Sequence, residues 1–448
     1  MDNNIFKAYD IRGIYPTEIN AADVKNIAMA YADWLKPRRI ALGRDVRLSG
    51  EELWKAAADG LIEMGVEVVD IGVISTDMLY FAVANYNLDG GITISASHNA
   101  GNFNGMKFVK ERSRPISIDT GLAEIRDRAI FGKFEAHKQT GKIVKKDIIN
   151  DYVEKMTSFV DRSEIRSLKV VVNPNFGSAG DVIQRVANYY GIELVKINFE
   201  PNGNFPKGKP DPTKTENRSE TAALVKSSGV DFGVTWDADA DRCFFFDEKG
   251  NFILPYYATG NFIDYFLRGQ PGQTIIIDPR LRWLSAYLVG KKQGKLIINK
   301  SGHSFIKERM RKENAIFGAE ASAHYYFRDL WYTDNGILPF ILMLKTVSSS
   351  ALPLSAVIKK YQHSYFALEE QNYIVDSVEE TIKKVKHAFP SDNTDDIDGY
   401  SAEFIDWRMN LRGSNTELLI RLNIEATNKE IAFNRLKILE EVIGGEKA

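Results

Sequence analysis

The feature that most constrains this chain is a rhythm that recurs along it: a short β-branched run, a turn, an amphipathic stretch of about a dozen residues, and another β-branched run. The first instance is RRIALGRDV, a helix from Ser49 to Gly65, then VEVVDIGVI and DGGITISASHN. The second runs LKVVVNPN, DVIQRVANYYG, IELVKINF, SETAALVKSSG and VDFGVTW. The third runs TIIIDPR, LRWLSAYLVGKKQG, KLIINK, HSFIKERMRKEN and AIFGAEASAHYYF. Each predicts strands joined by crossover helices, and so α/β units of roughly 100 residues in tandem. Ser49 followed by Glu52 predicts a capping box at one helix start. Gly191 and Gly229 predict helix ends, where a left-handed backbone favours glycine.

After residue 368 the rhythm changes. A charged helix (SVEETIKKVKHAF) precedes an acidic run (SDNTDDIDG) that reads as a solvated linker. Two strand-like runs (SAEFIDWRMNL and ELLIRLNIEAT) and a closing helix (NKEIAFNRLKILEEVI) complete a smaller α+β domain. The expected domains are 1–142, 143–254, 255–368 and 369–448.

Composition narrows the function. The 448 residues can bury cores large enough to need no staple. Fifty-eight basic against sixty acidic residues leave a formal net charge of −2, so no global basic field exists to attract nucleic acid. Any anion must be recognised locally. Cys243 is the sole cysteine, which excludes an internal disulfide framework and suits a reducing compartment. No secretory pattern opens the chain, and no run approaches the roughly eighteen apolar residues of a membrane span. A cytoplasmic protein with no nucleic-acid or membrane partner is expected.

Four polar constellations carry chemistry. In VTWDADADRCFFFDEKG, Asp237, Asp239 and Asp241 alternate, and three carboxylates so close repel unless a cation compensates them. Mg²⁺ or Ca²⁺ suits oxygen ligands; a solvated acidic turn is the bland alternative. An EF-hand is opposed by Arg242 where that turn needs glycine, and by strand-like flanks. Cys243, heading the run CFFF, reads as a packed strand residue. In GGITISASHNAGNFNGMKF, Ser95, Ser97, His98, Asn99 and Lys107 follow a strand, where α/β folds place ligands, although an ordinary Ser/Asn/Gly turn would look alike. A hydrolase triad is disfavoured: adjacent Ser97 and His98 should be poorly arranged for mutual hydrogen bonding, and no GxSxG elbow occurs.

The third constellation is SGHSFIKERM with FGAEASAHYYFRD, where Glu320, Ser322 and His324 alternate and could project together toward sugar hydroxyls, with Tyr325 and Tyr326 lining the cleft. An exposed strand edge would alternate too. The fourth is LRGSNTELLIRLNIEA, where Arg412, Ser414, Asn415 and Thr416 around Gly413 form a nest suited to phosphate, or else a capped β-turn. Arg12 in KAYDIRG is a further anion ligand or a surface charge.

KAYDIRG, the ASHN loop, DADADR, the EASAH loop and RGSNTE stand in an order and spacing that resemble the α-D-phosphohexomutase superfamily along essentially the whole chain. The strings WLKPRR, GRDVRL, NGMKFVKERSRPIS, IIIDPRLRW and SGHSFIKERMRKENAIFGAEASAHYYFRD are most similar to its bacterial phosphomannomutase branch. The resemblance implies a heart-shaped molecule of mixed α/β class, with three tandem α/β domains plus a C-terminal α+β domain around a central cleft. It implies a phosphoserine at Ser97, and Mg²⁺ held by Asp237, Asp239, Asp241 and the Ser97 phosphoryl group. Glu320 and Ser322 would take sugar hydroxyls, and Arg412, Ser414, Asn415 and Thr416 the distal phosphate. Arg242, Arg280, His303 and His324 match positions facing the cleft. Arg12, His98 and Lys107 match those flanking the phosphoserine, where acid or base help is expected.

The implied activity is reversible conversion of mannose 6-phosphate to mannose 1-phosphate for GDP-mannose synthesis. Hexose 1,6-bisphosphate is the intermediate and activator, a small hexose phosphate is the partner, and the enzyme is a monomer or homodimer. Phosphoglucomutase or dual specificity is the alternative, and a non-catalytic sugar-phosphate-binding homologue the remoter one. The chain departs from the family pattern at Ala100, Ala238, Ala319, Ala321 and Leu418. Alanine resists the positive φ that glycine permits, so loop geometry is expected to be affected there.

Overall fold

The computed structural model describes residues 1–135, 139–413 and 418–447. The chain forms two compact units, Met1–Phe252 with His324–Pro353, and Ile253–Ala323 with Leu354–Ala448.

The first unit contains two mixed sheets. In the N-terminal one, Ile11–Ile14, Phe103–Lys110, Gly90–Ile94, Arg39–Arg44, Glu67–Val73 and Ile143–Lys145 lie side by side in that order. The central pairs are parallel, as crossover helices require, and the pairs at the Ile11–Ile14 edge are antiparallel. The strand Gly90–Ile94 is buried along its length, which is why it reads as a small and apolar run rather than an alternating one. In the second sheet, Cys243–Phe246, Phe232–Trp236, Lys169–Asn173 and Glu193–Lys196 lie in that order. Phe232–Trp236 and Cys243–Phe246 pair antiparallel, so the aspartate run connects them as a turn between strands, not between helices. Cys243 is buried in its strand, as expected.

The helix Ile337–Ser348 returns to this unit. Its residues 337–344 are all buried, which explains why it is apolar all round instead of amphipathic. Each such side chain contributes about 1.5–3 kcal/mol of transfer free energy. Trp236 anchors it by donating Nε1–H to the Gly336 carbonyl at 2.7 Å and packing edge-on against Phe340.

In the second unit, Lys295–Ile298, Thr274–Ile277 and Phe317–Ala319 form a parallel arrangement. The C-terminal portion is an antiparallel sheet covered by the helices Val378–Ala388 and Lys429–Ile443. Trp407, Met409 and Leu411 supply one face of its core and pair in register with Ala426, Ile424 and Leu422. The buried carboxylate of Glu425 accepts from Arg408, from Tyr256 OH at 2.6 Å and from the Trp283 amide at 2.7 Å. Such full pairing is what makes a buried charge tolerable.

Three sequence expectations are corrected here. The helix Gly50–Glu63 begins as expected but has no capping box: Ser49 Oγ accepts from Asn104 Nδ2 at 2.9 Å, and Glu52 accepts from Tyr15 OH. The acidic run is no mere linker. Thr394–Asp395 is an edge strand, Asp395 accepts from Arg282 at 2.5 Å, and Asp398 accepts from Ser301 Oγ at 2.6 Å. Tyr325 and Tyr326 line no cleft; both are fully buried in the strand Tyr325–Phe327, where their rings add core area. Among the described residues no helix is long and apolar enough to cross a membrane.

Candidate active-site groups

Ser97 sits where the strand Gly90–Ile94 has ended, with φ of 51° and its amide donating to Ser95 Oγ at 3.0 Å. A left-handed backbone costs a non-glycine residue free energy and persists only where its surroundings over-determine it. That conformation also corrects one expectation: the Ser97 and His98 side chains do meet, Oγ to Nδ1 at 3.1 Å. Ser97 Oγ lies 3.4 Å from Asp237 Oδ2.

Asp237, Asp239 and Asp241 are all buried, and one carboxylate oxygen of each lies within 4.8 Å of the others. Lys107 Nζ donates to Asp239 at 2.6 Å and to Asp241 at 2.7 Å. Thr76, the first residue of the helix Thr76–Asn85, fixes Asp239 twice: its amide donates to the Asp239 carbonyl at 2.9 Å and its hydroxyl to Oδ2 at 2.5 Å. Arg242 closes the turn, its amide donating to Asp237 Oδ1 at 3.2 Å. The glycine departures matter less than expected. Ala238 and Ala319, which stand where the family has glycine, are not left-handed; among the described residues the left-handed alanines are Ala240 and Ala323.

Electrostatics follow the geometry. Burial, then the charges of Asp241 and Asp239, push the Asp237 carboxyl well up. Burial also opposes ionisation of Asp241, but Lys107 and His324 outweigh it and hold that group well below its ordinary range. Burial would lower the Lys107 ammonium, yet Asp239 and Asp241 raise it above its usual value. Burial, then Arg242 and Arg12, push the His98 imidazole well down, so it is neutral at pH 7. The donor set is three hard oxygens, and the buried Asp239 Oδ1 takes no hydrogen bond from the described residues. These residues fit a divalent cation.

Arg12 donates to Asn99 Oδ1 at 2.9 Å and pairs with Asp10 at 2.7 Å, so it flanks the serine loop. His324 Nε2 stands 3.3 Å from Asp241 and 3.3 Å from Arg242 Nε.

The second unit gathers the remaining groups. Glu320 is buried, and its Oε1 accepts from the Gly302 amide at 2.6 Å. His303 opens the helix His303–Glu313, with Nδ1 3.3 Å from Lys307 Nζ. Ser322 lies two residues after Glu320, and Asp278 steadies the loop between them by accepting from the Ala321 amide at 2.8 Å. Asp278 also grips Arg280 through Nε at 3.1 Å and Nη2 at 2.5 Å. Arg280 and Arg412 both approach Glu370, at 3.5 and 3.6 Å. Arg421 joins them at 3.8 Å. Ser414, Asn415 and Thr416 lie outside the described residues.

Sequence reasoning missed Thr76, Asp278, Glu370 and Arg421. Thr76 and Asp278 follow the strands Glu67–Val73 and Thr274–Ile277, the position where α/β folds gather ligands, and that signal could have found them. Glu370 and Arg421 carry no local signal.

Models of the phosphoglucomutase/phosphomannomutase family match three stretches: α/β/α domain I over residues 3–134, domain II over 150–250 and domain III over 256–365. A protein named phosphohexose mutases from Xanthomonas campestris is 43% identical over 422 residues, covering 94% of each chain. A phosphomannomutase from Vibrio cholerae is 40% identical over 448 residues, covering 97% of this chain and 96% of its own. The crystal structure of a phosphoglucomutase/phosphomannomutase family protein from Burkholderia thailandensis superposes with a TM-score of 0.88 at 30% identity, over 100% of this chain and 99% of that one. With the serine and the aspartates carried on domains that match, the chain belongs to the phosphoglucomutase/phosphomannomutase family of the α-D-phosphohexomutases.

Proposed function

We propose that this chain is a phosphomannomutase, interconverting mannose 6-phosphate and mannose 1-phosphate through phosphorylated Ser97. The observation that carries the reading is Ser97 Oγ, 3.1 Å from a neutral His98 and 3.4 Å from Asp237, in a chain alike over nearly its whole length to proteins named phosphomannomutase.

In the first transfer, O1 of mannose 6-phosphate attacks the Ser97 phosphorus; the P–Oγ bond breaks, Oγ takes up a proton, and the O1 proton passes to a neighbouring base. The 1,6-bisphosphate then turns over, and Ser97 Oγ attacks the phosphorus on O6. The P–O6 bond breaks, O6 takes a proton, and mannose 1-phosphate leaves with Ser97 phosphorylated again. His98 is placed to take the Ser97 proton, and Lys107 and Arg12 to stabilise charge around the transferring group. Asp237, Asp239 and Asp241 would hold Mg²⁺, which supplies charge neutralisation at the phosphoryl oxygens when bound.

Glu320 and Ser322 grip ring hydroxyls, and Arg280, His303 and Arg412 with Ser414, Asn415 and Thr416 hold the distal phosphate. Arg242 and His324 keep the aspartate turn in place. Mannose and glucose share O3 and O4 and differ at C2, so glucose phosphates are accepted as well. The roles fall to domains 1–142 (phosphoserine), 143–254 (metal), 255–368 (sugar) and 369–448 (distal phosphate). Hexose 1,6-bisphosphate primes the dephosphorylated enzyme, a cytoplasmic monomer or homodimer whose product feeds GDP-mannose synthesis.

The test is a coupled assay on mannose 1-phosphate and glucose 1-phosphate with Mg²⁺ and catalytic bisphosphate, using Ser97→Ala as the blank. Turnover of mannose 1-phosphate at the greater rate, lost in the blank, is expected. A folded wild-type protein that turns over neither sugar would refute the reading.

A further inference from the structure

The serine loop is wrapped around one buried side chain that touches neither the aspartates nor the glutamate loop. Arg47 is 1% exposed, and each of its five guanidinium N–H groups has a partner. Nη1 donates to the carbonyls of Ala100 at 2.5 Å and Phe103 at 2.9 Å, and Nη2 to those of Ser97 and Asn99, both at 2.7 Å. Nε donates to Asp45 Oδ2 at 3.1 Å, and Asp45 is itself buried. Four carbonyls within seven residues thus converge on one planar cation. Unbent, they would point apart; gathered, they oblige the chain to double back at Ser97, whose φ of 51° is the strained step in that path.

The free face of the guanidinium is covered from another part of the same unit. The Phe205 ring, 3% exposed, lies with its centroid 5.0 Å from Arg47 Cζ. Gly203 brings that turn so close that a Cβ there would stand 2.2 Å from the Val46 carbonyl oxygen and 2.9 Å from Arg47 Cα. Arg47 is therefore enclosed: Asp45 on Nε, the serine loop on both terminal nitrogens, an aromatic ring over its plane.

We propose that Arg47, covered by Phe205, is a positioning residue that holds Ser97 in its reactive conformation for phosphoryl transfer. It acts through the loop carbonyls and contacts no reacting atom. Lysine cannot replace it, because an ammonium has three donors and no planar fork with which to serve four carbonyls and a carboxylate. The proposal rests on Ser97 being the residue that carries phosphate.

The experiment uses the dephosphorylated full-length protein and glucose 1,6-bisphosphate, following the mass of the intact chain with time. The Oγ–P bond forms as a sugar O–P bond breaks, and the serine proton goes to the sugar oxygen. Arg47→Lys is expected to slow phosphorylation and kcat together by at least about tenfold, as a misplaced nucleophile does, while KM for mannose 1-phosphate stays within about twofold because the Glu320 loop is untouched. Phe205→Leu, which keeps an apolar cover but removes the ring face, is expected to slow both about threefold with a folded chain of near-native melting temperature. Phosphorylation of Arg47→Lys at the wild-type rate would overturn the proposal. So would a raised KM with unchanged kcat. Should Arg47→Lys fail to fold, Phe205→Leu at the wild-type rate overturns it. Wild-type protein that gains no phosphate on Ser97 would instead sink the underlying assignment of Ser97.

Discussion

Arg412 and Arg421 stand directly opposite each other across the antiparallel strands Trp407–Gly413 and Leu419–Ala426. Like charges in that register repel, and the Glu370 carboxylate, which both approach along with Arg280, offsets the repulsion. Asn423 fixes that carboxylate by donating to Oε2 at 3.0 Å. The Arg412 guanidinium is nonetheless held below its ordinary range, first by Arg280 and then by burial. A cluster so arranged would gain from a second anion.

Glu370→Gln should therefore destabilise the fold by about 1–3 kcal/mol, since it leaves three guanidinium groups without their shared counter-charge. Inorganic phosphate should raise the melting temperature of this variant more than that of the wild type. Equal increments would mean that phosphate does not reach the cluster. Burial alone would push the Glu370 carboxyl up, but Arg280 and Arg412 outweigh it and hold it below the ordinary 4.5. Its contribution is thus present above pH 4.5 and lost as pH falls through the lower folded value. Wild type and variant should converge in stability under acid, which urea unfolding at stepped pH would measure.

Removal of one aspartate tests the cation. Asp239→Asn keeps an acceptor for Thr76 and Lys107 but removes the charge and weakens a buried ligand set. Affinity for Mn²⁺, read by titration calorimetry on the full-length protein, should fall on the order of a hundredfold. Unchanged affinity would place the cation elsewhere, the group Asp241, His324 and Asp334 being the other set within 4.8 Å among the described residues.

Much of this was legible in the chain. The βαβ rhythm marks the parallel pairs, and the alternating aspartates mark a turn between strands, because both signals are local. What escaped is non-local. Glu370 meets Arg412 and Arg421 because an antiparallel register places their strands together, and Arg280 reaches it from the turn after the parallel strand Thr274–Ile277. Ser49 and Glu52 spell a capping box, yet Asn104 and Tyr15 compete for the same oxygens from far along the chain. The Ser97–His98 contact escaped for another reason: it depends on a left-handed φ that sequence pattern does not announce at serine.

The same backbone information separates two alanines of the aspartate turn. Ala240 has φ of 53°, whereas Ala238 is not left-handed. Ala240→Gly should relieve a strain of about 1–2 kcal/mol and return part of it as unfolded-chain entropy, for a net gain of about 0.5–1 kcal/mol. Ala238→Gly, the substitution that restores the family's residue, relieves nothing and should cost about 0.5–1 kcal/mol. Denaturant midpoints with unchanged slopes would display the opposite signs. Equal losses would show that the left-handed assignment at Ala240 is wrong.

Asp77 offers a sign test in the other direction of pH. Its carboxylate is fully buried, accepting from Ser75 Oγ and from Tyr152 OH at 2.6 Å, while Asn335 donates to that same phenol oxygen at 2.9 Å. Burial pushes the group up to about 7, against the partial opposition of the Ser75 and Tyr152 hydrogen bonds. The folded form therefore prefers the protonated acid, and stability is lost as pH rises from the ordinary 3.8 toward 7 and is flat beyond it. Asp77→Asn is neutral at every pH; its carbonyl can accept from Tyr152 and its amide can donate to Ser75, whose hydroxyl also accepts. At pH 8 the variant should be more stable than wild type by about 2–4 kcal/mol, and below pH 4 the advantage should vanish. A constant difference across that range would mean that the folded protein leaves the Asp77 carboxyl at its ordinary value.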